Sequence, residues 1–185
     1  MFANFIPVGF DHIITGYDHL LFLGALIVAS RRWQDLLAVI SAFTIAHTIT
    51  IFLTVFGFLS LPSLFVESLI ALSIVYAAAS NLVLKHSDNR WLLAGAFGLV
   101  HGAGFSGLLA AMVHPMIGTA AAWTAIFGFS TGIELGQLSL IVLLYPLIVW
   151  ARKTNRQRLL VRWPSGAIAV AGTVLLVLRL AGGAF

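Results

Sequence analysis

Apolar residues run along this chain in six long stretches, approximately 10–30, 36–57, 64–84, 91–113, 119–150 and 165–182. Each is near or above the roughly 20 residues that a helix needs to cross a hydrocarbon core. Polar and helix-breaking residues separate them: Arg31-Arg32-Trp33-Gln34-Asp35, Leu61-Pro62-Ser63, Lys85 through Arg90, His114-Pro115, and the basic run Arg152 to Arg162 ahead of Pro164-Ser165-Gly166. Proline and clustered polar side chains are the expected stops. The pattern predicts an all-α polytopic membrane protein, a single bundle of six transmembrane helices in one domain covering residues 1–185. The fifth stretch exceeds one crossing, so tilt or protrusion beyond the bilayer is expected there.

Composition agrees. The chain is 61% hydrophobic and only 9% charged, with a mean hydropathy of +1.05, whereas charged residues make up about a quarter of a soluble domain. Met1 to Phe10 holds no Lys or Arg and no small-residue cleavage site, so it does not read as a secretory signal peptide; a longer precursor stays open. With no cysteine, disulfides, thiolate nucleophiles and thiolate metal ligands are excluded.

Lys and Arg set the expected orientation. Arg31, Arg32, Lys85, Arg90, Arg152, Lys153, Arg156, Arg158 and Arg162 fall in the first, third and fifth loops, and the second and fourth loops hold none. Those three loops are expected to face the cytoplasm, giving an N-out/C-out topology. The pI near 10.1 then needs no nucleic-acid partner; the partners expected are the lipid bilayer and a metal ion, with a homo-oligomer left open. The remaining cation, Arg179, reads as a snorkelling residue at the outer end of the last helix.

Glycines recur at four-residue spacing, Gly98 and Gly102 in the fourth stretch and Gly128, Gly132 and Gly136 in the fifth. Such spacing lets backbones approach closely, and it predicts that these two helices are central. The first and fourth stretches each carry a His in a Gly-rich turn, which suggests an inverted three-plus-three repeat.

Against this apolar background the ionisable residues stand out, because a bilayer core penalises them and they mark functional sites by default. The first stretch contains Asp11-His12 and Asp18-His19. His47 lies near the middle of the second, His101 of the fourth and Glu134 of the fifth, with Gln137 one turn beyond; Glu67 opens the third. His12 and His19 are seven residues apart, about 10 Å along a regular helix, so they share one ion only if the helix breaks, and Gly16 is the natural place. Otherwise His12 with Asp11 marks an outer vestibule. A single such His is commonly polar glue between helices, but several at one depth point to a site. His86 and His114 fall in loops and read as solvated, and Met112 and Met116 read as lipid-facing or packing residues rather than a copper relay.

An ionised carboxylate at mid-bilayer costs about 2.5 to 3.5 kcal/mol, so Asp18 and Glu134 need partners. With no other Lys or Arg expected at that depth, the balancing charge is assigned to protonated His, a proton on the carboxylate, or a bound metal cation. Imidazole nitrogen with carboxylate oxygen and no sulfur suits divalent nickel, cobalt, zinc or manganese. The candidate metal residues are therefore His12, Asp18, His19, His47, Glu67, His101 and Glu134.

His12 followed after five residues by Asp18-His19 and Leu20-Leu21-Phe22-Leu23, together with Phe97-Gly98-Leu99-Val100-His101-Gly102, resembles the HupE/UreJ family of bacterial membrane proteins. Phe43-Thr44-Ile45-Ala46-His47-Thr48 and Gly132-Ile133-Glu134-Leu135-Gly136-Gln137 look like one branch of it. The resemblance implies a nickel or cobalt permease in the bacterial inner (cytoplasmic) membrane. Relatives carry a further His before and a Glu after the His-Gly pair, where this chain has Phe97 and Gly104; either those ligands are lost, or His47 and Glu134 replace them from other helices.

Two other functions fit the same residues. An ion held by three protein ligands with one open position activates water, which would make this an intramembrane metal-dependent hydrolase; Gly104-Phe105-Ser106-Gly107 also resembles a rhomboid serine motif. Alternatively the polar residues only lock helices together in a structural subunit.

Overall fold

A computed structural model of the chain describes residues 1–30, 32–83, 89–104, 106–154 and 156–182, the side chains of 106–108 and 157 excepted. Arg31, Lys85 and His86 lie outside the described residues, as does the side chain of Ser106. The described residues are helical almost throughout: α1 Phe2–Thr15, α2 Tyr17–Ala29, α3 Trp33–Val55, α4 Ser63–Val83, α5 Arg90–Gly104, α6 Ser106–Val113, a 3-10 turn His114–Met116, α7 Ala120–Lys153 and α8 Gln157–Leu180.

The chain is an integral membrane protein with four to six candidate spans. α3, α4, α7 and the Arg158–Leu180 part of α8 are each long and apolar enough to cross a membrane. The other two apolar stretches are broken. α1 and α2 meet at 72°, and α5 meets the segment Leu109–Met116 at 67°, so six crossings result when each bent pair counts as one. The long fifth stretch is one continuous 34-residue helix, opened by Thr119, whose hydroxyl accepts from the Ala121 amide at 3.2 Å.

Proline does not stop these helices where the sequence suggests. Pro164 lies inside α8, which starts at Gln157 in the basic run rather than after Gly166. Pro7 and Pro146 are likewise internal, to α1 and α7. An internal proline forfeits one backbone hydrogen bond, and membrane helices tolerate it because neighbours and hydroxyl side chains re-satisfy the freed groups.

Helices pair as α1 along α7, α3 along α5 and α4 along α8. The glycine ladders explain the first two pairings, although each faces a different helix instead of the other ladder. A Cβ on Gly128 or Gly132 of α7 would collide with the carbonyl oxygen of Phe2 or Ile6 in α1. On α5, a Cβ at Gly98 would sit 2.6 Å from the Phe43 carbonyl oxygen, and one at Gly102 2.5 Å from that of His47. The two halves of the chain match here. Gly9 abuts Phe129 as Gly98 abuts Phe43, and each glycine precedes a histidine by three residues, His12 and His101.

Because Gly132 meets backbone, which cannot rotate away, Gly132→Ala should destabilise the protein by roughly 1 to 3 kcal/mol through overpacking. Gly166→Ala, with nothing within 4 Å, should be neutral; thermal unfolding in detergent separates the two.

Candidate metal centre

The site begins with the break at Gly16. Its backbone is extended, φ −77° and ψ 96°, yet its N–H still donates to the His12 carbonyl at 3.1 Å and its carbonyl accepts from Leu20 at 3.0 Å. The chain therefore turns without orphaning either group. A side chain does not fit at this position: a Cβ would lie 2.6 Å from the His12 carbonyl oxygen and 2.8 Å from His19 Nδ1. The bend brings the His12 and His19 rings to 4.5 Å between centroids, far inside the separation of an unbroken helix.

α3 adds His47, whose ring is 5.8 Å from that of His12 and 5.9 Å from that of His19. One ring nitrogen from each of His12, His19 and His47 lies within 4.8 Å of the others, so three separate elements converge on one point. His47 is fully buried and His19 nearly so. Phenylalanines wall the cluster: Phe43 stacks on His47 at 5.5 Å, and Phe129 lies 5.5 Å from His12.

Both ring nitrogens of His19 and of His47 are buried without a hydrogen-bond partner. A neutral imidazole carries one N–H and one lone pair, and each buried unsatisfied group costs about 1 to 3 kcal/mol. Helix-locking histidines would be tied to neighbouring backbone; these two are not.

His101 extends the cluster from α5, with its ring 5.0 Å from that of His19. Its Nε2 is 3.0 Å from Ser73 Oγ, whose own hydrogen is donated to the Ile70 carbonyl at 2.6 Å. Ser73 can then only accept from His101, so the proton sits on Nε2 and the buried, unpartnered Nδ1 carries the lone pair.

The carboxylates are placed differently from the sequence expectation. Arg179 does not snorkel: it is 9% exposed, and it donates to Asp18 Oδ2 at 2.6 Å and to the Glu67 carbonyl at 2.6 Å. Its Nε lies 3.9 Å from Glu67 Oε2. The bundle thus contains the counter-cation that the sequence appeared to lack, and Asp18 and Glu67 are gathered around it. Glu134 instead accepts from Ser41 at 2.8 Å. Of the layer expected from Asp18, His19, His47, His101 and Glu134, the rings of His47 and His101 both approach that of His19; among the described residues, the group with metal-ligand spacing is His12, His19 and His47.

Other expectations are simpler to place. His114 is exposed on the 3-10 turn, and Met112 is exposed beside it. Gly104 faces Ile70 and Val66 of α4, so a side chain at that position would meet apolar neighbours.

Sequence reasoning missed Arg179, Ser73 and a row of hydroxyls, Ser41, Thr44 and Thr48, on the α3 face that meets α7. The hydroxyl row had a signal, its spacing of three and four residues. Arg179 in a run of Leu and Val had none.

Together these features define a polytopic α-helical membrane protein with a buried cluster of histidines whose spacing could hold a metal ion. The family model described as HupE / UreJ protein matches residues 1–180, and the chain belongs to that family. Membership points to nickel or cobalt transport. No curated protein and no solved structure matches the chain significantly.

Removing Arg179 leaves Asp18 largely buried without its counter-charge, a change that costs on the order of 3 kcal/mol. Arg179→Gln should lower the unfolding midpoint in detergent, and adding Asp18→Asn should recover most of the loss; additive losses in this double-mutant cycle would mean that the pair is not coupled.

Proposed function

We propose that this protein is a permease for a divalent transition-metal ion of the nickel or cobalt type, with six spans, both termini outside, in the bacterial inner membrane. The observation that carries the reading is the convergence of three imidazoles from α1, α2 and α3, with ligand atoms within 4.8 Å and with no partner for either ring nitrogen of His19 or His47. Neutral imidazole nitrogens suit nickel, cobalt and zinc. In a site walled by phenylalanine they replace part of the hydration shell that the ion sheds.

Charge balance supports the same reading. Asp18 and Glu67 around the single Arg179 leave one net negative charge beside His19. That field favours a dication without placing a carboxylate in the trio, and this keeps binding weak enough for the ion to leave, as transport demands. Exposed Asp11, one residue before His12, draws cations toward the outer side. Competition between protons and metal for the imidazole lone pairs makes binding weaken in acid.

Uptake of nickel and cobalt into cells expressing the protein tests this. His19→Ala and His47→Ala should each reduce accumulation about tenfold or more, as loss of 1.4 kcal/mol or more of ion stabilisation requires. Equal accumulation of nickel and cobalt by wild type and both variants would exclude the permease.

A further inference from the structure

One polar feature lies outside the imidazole trio. On α3, Ser41, Thr44 and Thr48 fall at spacings of three and four residues, so they share a face about 10 Å long. α7 answers with Ser130, Glu134 and Gln137, spaced by four and three. Ser41 Oγ donates to Glu134 Oε1 at 2.8 Å and Thr44 Oγ1 to Gln137 Oε1 at 3.0 Å; Thr48 Oγ1 and Ser130 Oγ are 2.7 Å apart. Thr44 and Gln137 are buried. The seam is thus a row of oxygens in an apolar bundle, and beside Thr48 in the chain stands His47, fully buried with both ring nitrogens unpartnered.

A second observation joins seam and trio. A cavity of about 10 Å³ lies between His19 and Gln137, walled by Ile13, Phe22 and Phe43, which is room for roughly one water or one bare ion. Past Ser41 the polar row stops, and the apolar side chains of Leu36, Ile40 and Ile141 close the space.

We propose that the α3–α7 seam is a second cation station, built from oxygen donors alone, which receives the divalent metal ion from the imidazole trio, with Glu134 as its charged ligand. The proposal rests on the permease reading above. Its chemistry is a descending ladder. Imidazole nitrogen suits ions of the nickel type, whereas carboxylate, amide carbonyl and hydroxyl oxygen suit harder ions and hold these less firmly. Passage from nitrogen to oxygen ligands therefore loosens the ion stepwise, and the one full negative charge of the seam keeps the transfer from stranding a dication among neutral dipoles. Rotation of Ser41 and Thr44 frees the Glu134 and Gln137 oxygens that they now occupy. A seam that served only as interhelical glue would need no carboxylate, since the Thr44–Gln137 and Thr48–Ser130 pairs already hold the helices.

The test uses purified full-length protein and cobalt(II), whose visible spectrum reports imidazole ligation, together with cobalt uptake into proteoliposomes. Glu134→Gln should leave the concentration dependence of the imidazole–cobalt spectrum unchanged while uptake falls about tenfold, equivalent to 1.4 kcal/mol of lost ion stabilisation. Glu134→Asp should keep most of the uptake. The double variant Ser41→Ala with Thr44→Val, which retains Glu134, gives an independent reading should Glu134→Gln fail to fold, and it too should slow uptake without altering the spectrum. Wild-type uptake by Glu134→Gln, or by the double variant where Glu134→Gln does not fold, would overturn the proposal, as would loss of the spectrum along with uptake, which would merge the two stations into one. His47→Ala separates this from the parent reading: wild-type uptake by that variant would refute the permease itself.

Discussion

Everything at the centre of this protein depends on one interruption of a helix in an apolar environment. Backbone groups that leave a helix within a membrane must find partners, because no water is there to supply them. Gly16 meets that condition with both its N–H and its carbonyl still bonded along the chain, so the bend costs little in hydrogen bonding. It is sterically selective as well, since the His12 carbonyl and the His19 ring occupy the space that any side chain would take. From that single bend come the meeting of two histidines on one point and the room for a third from α3.

Electrostatics is organised around the same bend. Asp18 stands in the first turn of α2, where a helix N-terminus already favours negative charge, and Arg179 reaches across from α8 to hold it. The partner charge is therefore supplied by the protein itself, so Asp18 does not rely on a bound ion for its ion pair. That sets Asp18 apart from the imidazoles, which sequence inspection groups together: Asp18 is held by Arg179, whereas the ring nitrogens of His19 and His47 have no partner.

The apolar periodicity made the class and the approximate positions of the spans readable, because hydrocarbon thickness dictates helix length directly. The first-span break was readable as a condition, since spacing alone says that His12 and His19 meet only if Gly16 bends the chain. His47 and His101 were readable as buried histidines, and their approach to His19 required only that their helices pack. Arg179 was not readable: a long cationic side chain near a helix end looks the same whether it reaches outward to headgroups or inward to a carboxylate, and only the packing of α8 against α4 decides. The partner of Glu134 was not readable for a related reason. Depth along a helix is legible from residue number, but azimuth is not, and only the packing of α7 on α3 sets Glu134 against Ser41. Pro164 misled because its missing amide is tolerated within a membrane helix more readily than in water.

The glycine contacts carry one more consequence. They hold α1 against α7 and α3 against α5 with almost no space between the backbones. His12 belongs to the first pair and His47 to the second, so the histidine trio straddles the boundary between the two pairs. A shift of one pair against the other by a few ångströms would separate the ring nitrogens, and an ion held between them would oppose that shift. Occupancy of the trio and the register of the two pairs would then be linked.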